Sequence, residues 1–252
     1  MILRAALLLL IAAPAFAADS PDELFRAGDY REAAAAGRAL NTADGYLVAG
    51  MSTLARASLQ TSDKSVAREL LKLSQADFDA VLEKSPGNFD ALLNKAIVIG
   101  YRAKLDSAPA LAKQTRRNFE AILARNPNSA VANAALAGWH GQSVAAVGSF
   151  VAGAALGAKQ SEAVRLYEKA LTLPGADPLV PHFYAFNLLN LSPDNASRAK
   201  ALLQRSLKTP PSDAFEMLFQ KHARVVLALL EKGDVEGARS AAKRLAPMGL
   251  IK

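Results

Sequence analysis

Residues 114–129 read QTRRNFEAILARNPNS, and residues 73–88, 41 positions earlier, read LSQADFDAVLEKSPGN. In both, a small residue (Thr115, Ser74) is followed four positions on by Phe (Phe119, Phe78). Three further comes a β-branched apolar residue (Ile122, Val81), and five beyond that a proline (Pro127, Pro86). The i, i+4, i+7 spacing puts the first three on one face of a helix. The small residue lets a neighbouring helix approach closely and the aromatic fills the gap beyond it. Proline cannot continue the hydrogen-bond ladder, so it ends the helix at a set place.

The same frame extends outward in both directions. SEAVRLYEKALTLPGA (161–176) carries Ala163, Tyr167 and Ala170, and SRAKALLQRSLKTPPS (197–212) carries Ala199, Leu203, Ser206 and Pro211. The outer copies are FRAGDYREAAAAGRAL (25–40), with Ala33, and EKGDVEGARSAAKRLA (231–246), with Ala238, Ala242 and Leu245; here Gly37 and Ala242 stand where bulk is expected. The first motif residues fall at 33, 74, 115, 163, 199 and 238, in steps of 41, 41, 48, 36 and 39. Segments ahead of three copies have their own spaced residues: Tyr46, Gly50 and Thr53; Leu92, Ala96 and Ile99; Leu136, Ala137 and His140.

This pattern resembles the tetratricopeptide repeat, whose second helix carries small–x3–aromatic–x2–Ala–x4–Pro and whose step is about 34 residues. The copies here are degenerate and longer, and Asn133 stands where that family's first helix has Trp. The resemblance implies an all-α fold: a right-handed α-solenoid of antiparallel helix pairs, a TPR-like superhelix, spanning 18–252 with one concave face. It implies a protein-binding or scaffold role without catalysis, the partner being a protein or peptide segment in the groove. First-helix residues Asn94, Tyr101 and Gln142 would face that groove, with Trp139 and His140 beside it. The amide of Asn94 both donates and accepts, which suits an extended backbone. A small-ligand-binding accessory subunit of an envelope transport system is the alternative, with an apolar pocket around 138–157.

Between Arg125 and Lys159 there is no Asp, Glu, Lys or Arg. A membrane span does not fit, because the run from Gln142 to Ala158 is 17 residues of mostly Ala, Gly and Ser, short of the roughly 20 apolar residues required. A phosphate loop does not fit either, because Gly153 and Gly157 are four apart and Ala158 precedes Lys159. Close helix packing remains, through Gly148, Ala152 and Ala155. Five glycines over 138–157 weaken the segment as a helix, each by about 1 kcal/mol against Ala. This Gly/Ala-rich insert around 138–158 coincides with the 48-residue step, and is expected to be either a lid or binding wall or a piece of core.

The chain opens MILRAALLLLIAAPAFAADSPDE. A basic n-region, a short apolar run and Ala15-Phe16-Ala17 match a secretory signal over 1–17, cleaved near Ala17-Ala18. A periplasmic protein with no transmembrane span after cleavage is expected. There is no cysteine, hence no disulfide or thiolate metal site. The net charge of +7 is uneven: −3 over 18–100, and +7 over 101–209, where 13 Lys and Arg oppose 6 Asp and Glu. That basic middle suits an acidic partner or an anionic surface, or simply a solvated face. No nucleic-acid motif occurs. The three histidines, His140, His182 and His222, lack metal-type spacing, and no nucleophile elbow or zinc-protease motif is present. No catalytic residue, metal or cofactor is expected. Phe183, Tyr184, Phe186, Phe215 and Phe219 read as core.

Overall fold

The computed structural model describes residues 19–174 and 177–251; the leader expected over 1–17 lies outside them. The described residues form thirteen α-helices and one 3-10 turn, with no strand. They are α1 (Pro21–Ala27), α2 (Tyr30–Leu40), α3 (Ala43–Leu59), α4 (Lys64–Lys84), α5 (Phe89–Leu105), α6 (Pro109–Arg125), α7 (Ala130–Val147), α8 (Ser149–Leu156), α9 (Gln160–Thr172), α10 (Val180–Leu191), α11 (Ala196–Ser206), α12 (Ala214–Glu231) and α13 (Val235–Leu245).

The helix starts follow from side-chain caps. After Pro86 the chain turns and Asn88 accepts from the Ala91 N–H to open α5; after Pro127 it turns and Ser129 accepts from the Ala132 N–H to open α7. Each cap satisfies an otherwise orphaned amide of the first turn. The same stop-and-restart therefore recurs 41 residues apart. Thr42, Asp63 and Asp213 cap α3, α4 and α12 in the same manner.

The six motif-bearing helices are α2, α4, α6, α9, α11 and α13, and all present the motif face inward. Ala33, Ser74, Ala163, Ala199 and Ala238 are fully buried and Thr115 nearly so; Phe78, Phe119, Tyr167, Leu203 and Ala242 are buried four positions on. Leu40, the third position of the first copy, is the exception and is exposed. Helices α2, α4, α6, α11 and α13 each pack on the helix before them and α9 packs on α7, while α3, α5, α7 and α10 also pack on one another in that order. Small residues set the closest approaches: a methyl group at Gly50 would stand 2.6 Å from the Phe78 ring.

Two interiors result. One joins α5 through α13 around Trp139, Tyr167, Tyr184 and Leu203; the other joins α3, α4 and α5 around Phe78, Leu71 and Val98. Met248, beyond the last helix, belongs to the second interior, and its N–H donates to the Ser58 carbonyl of α3 at 2.7 Å. At the other end α1 packs on α12, where Gly28 lies close to the Ala214 methyl. The first and last hairpins therefore touch. Among the described residues no helix is long and apolar enough to cross a membrane.

Candidate functional site

The uncharged segment is two elements. Residues 138–147 continue α7 as an ordinary part of the repeat. Gly148, at φ +81°, breaks the helix and α8 follows as a separate short rod. That conformation is open to glycine and strained for other residues. Residues 148–158 stand between α7 and α9 and coincide with the long third step. Gly157 closes α8 in a left-handed turn, and Arg116 Nη1 donates to the Leu156 and Gly157 carbonyls, both at 3.3 Å.

Helix α7 distributes the expected site residues to different sides. Trp139 is buried against α6, its Nε1 donating to the Ala112 carbonyl at 3.0 Å, with the Arg116 guanidinium over its ring. His140 is buried too, and its Nδ1 accepts from the Lys159 N–H at 3.2 Å, at the junction of α8 and α9. Burial, then the Arg116 charge, pushes the His140 imidazole down to about 4, so it is neutral near pH 7. The Trp-His pair thus ties α6, α7 and the α8 junction together.

Gln142 remains exposed, one turn from Gly138. Its amide nitrogen and the Tyr167 hydroxyl both approach Gly138. Tyr167 stacks on Tyr184, ring centroids 4.6 Å apart. Burial raises Tyr167 well above the usual phenol range, and the nearby Tyr101 and Tyr184 raise it further. Tyr101 is likewise raised by burial, though solvent still touches part of it. Tyr101, Gln142, Tyr167 and Tyr184 therefore gather around the meeting of α5, α7, α9 and α10. Tyr167 and Tyr184 are buried, and the Tyr184 hydroxyl donates to Glu168 at 2.9 Å, so only the Gln142 amide and part of Tyr101 face solvent there, as groups that hydrogen-bond and stack without carrying charge. Asn94 is apart from these, half-buried, with its amide donating to the Asp90 carbonyl of its own helix at 2.9 Å.

Lys104 of α5 is a residue that local pattern reading passes over. The residue is exposed, yet the protein packed around it and then the charge of Lys243 on α13 hold its ammonium below the usual lysine range. The last helix thus comes near α5, a long-range meeting with no local signature. Tyr101, at the end of α5, and Ile251, after α13, border the same interior. Two surface clefts, of about 460 and 420 Å³, lie elsewhere. One is at Phe89 and the turn 125–129; the other lies between 28–32 and 56–70, and neither includes an expected site residue. Among the described residues no group of three His, Cys, Asp or Glu is placed to hold a metal.

No family model matches the chain, and no curated protein matches it.

Proposed function

We propose that the chain is a degenerate tetratricopeptide-like α-solenoid, exported to the periplasm, that acts as a non-catalytic binding or assembly module. Its partner is a protein or peptide segment held on the face that carries Tyr101 and Gln142. The observation that supports this most is the common burial of the first two motif residues on the six motif-bearing helices. A hairpin cannot bury its apolar face alone, and stacking neighbours does so. Such a row leaves the opposite faces of the intervening helices for recognition. The neutral Tyr and Gln groups suit a polypeptide backbone, which needs both donors and acceptors. Asn94 flanks this face, and Trp139 and His140 hold the α7 scaffold behind it.

A photo-crosslinking residue placed at Gln142 in the intact chain, expressed with its own envelope, tests this. A discrete protein adduct at Gln142, absent with the same residue at exposed Gln204 of α11, is expected. No adduct, or equal adducts at both positions, would refute the assignment.

A further inference from the structure

The short helix α8 stands out from the rest of the surface. Phe150 is 86% exposed, and Val147 and Val151 are each 49% exposed. Ala145, Ala146, Ala154 and Ala155 around them are exposed as well. No charge interrupts the sequence from 126 to 158. Of the rod itself only Ala152 is buried, so it is fastened along one side and its remaining faces meet solvent. Large apolar side chains gathered in this manner on a charge-free projection mark an interaction surface.

Cations border the projection. Arg116 of α6 grips its C-terminal carbonyls, and Lys159 follows it directly. Lys113 and Arg117 lie on α6 within a turn of Arg116. Lys113, Arg117 and Lys159 are exposed and form no ion pair among the described residues. Among the described residues the ion pairs at this rim are Arg116–Glu120 and Arg165–Glu162.

We propose that α8 is a shallow membrane wedge: Phe150, Val151 and Val147 enter the headgroup–acyl boundary of an anionic bilayer while Lys113, Arg117 and Lys159 hold its lipid phosphates. Size favours a lipid surface over a second copy. Eight residues make a rod about 12 Å long and about 10 Å across, a face of roughly 120 Å² against the roughly 800 Å² per partner of a stable protein interface. A wedge needs only a few apolar side chains beside basic ones, since each signal is weak and the two act together. The proposal is independent of the groove reading; a protein bound at Gln142 and a bilayer touched at Phe150 are separate contacts.

The test is flotation of the whole chain with vesicles of phosphatidylglycerol and phosphatidylethanolamine, against vesicles of phosphatidylcholine alone. The leader segment is common to every variant, so differences between variants isolate α8. The expected result is flotation with the anionic vesicles that weakens with salt. Phe150→Ser with Val151→Ser should cut partitioning about tenfold or more, given the area of the two side chains, with an unchanged thermal midpoint because both are exposed. Lys113→Gln with Arg117→Gln should cut it by about fivefold per charge on anionic vesicles only. Flotation of the Phe150→Ser, Val151→Ser form equal to wild type would overturn the proposal. So would a concentration-dependent dimer that this form abolishes, since a second copy would then be the occupant.

Discussion

At the scale of single residues, the molecule depends on how closely its helices approach. Gly50 touches the Phe78 ring so tightly that even a methyl group has no room, and Phe78 is itself fully buried and cannot swing away. Gly50→Ala should therefore cost about 1–3 kcal/mol in urea unfolding. Gly87→Ala, in a turn with open space around it, should change stability by less than about 0.5 kcal/mol. Burial acts on charge as well as on shape. His182 is enclosed by the Phe183, Phe186 and Phe219 rings, neither ring nitrogen has a partner among the described residues, and burial pushes its pKa down to about 3. With His140 at about 4, two imidazoles are neutral in the fold and charge when the chain unfolds. Both folded values lie below the ordinary 6.5, so their contribution is complete above pH 6.5 and is lost as pH falls from there toward 4 and then 3. Urea titrations should show lower stability at pH 5 than at pH 7, with unfolding at pH 5 taking up about two protons through these imidazoles. His182→Phe should remove about half of that difference.

At the scale of elements, the hairpins are joined by packing and by a few polar ties. Arg38 of α2 donates to Asp77 of α4 through Nε and Nη2 at 2.8 and 2.6 Å, and to Thr53 of α3 at 2.8 Å. One guanidinium thus clasps three helices. Asp77 and Thr53 are buried while Arg38 is partly open to water, so Arg38→Ala should cost roughly 2 kcal/mol in thermal or urea unfolding. Arg68→Ala removes a pair in which both partners are partly open to water and should cost less than about 1 kcal/mol. The elements themselves were legible in advance because their signals are local. Motif spacing, Pro86 and Pro127, and caps such as Asn88 and Ser129 act within one or two turns of chain. Gln142 is exposed and Tyr101 half-buried, positions that helical phase alone locates. Trp139 and His140 turn toward α6 and the α8 junction. Phase gives the side of a helix but not which neighbour lies there. The break at Gly148 was legible only as weakness, because Gly148 is one of five glycines in that run and nothing local marks it as the one that turns.

At the scale of the whole molecule, the meeting of the two ends is what no local pattern announced. Met248 adopts φ +64°, sinks into the interior between α3, α4 and α5, and donates to Ser58, while α1 lies on α12. Met248→Asp places a carboxylate in that apolar site and should destabilise the fold by about 2–4 kcal/mol. Hydrogen exchange should quicken first in α1 and α3, whereas Leu250→Asp, at an exposed position, should leave both unchanged. In a row of stacked units with loose ends, heat peels away the outermost members before the middle. Here each outermost member is the other's neighbour, so peeling has no margin from which to begin, and the chain should melt in a single concerted step.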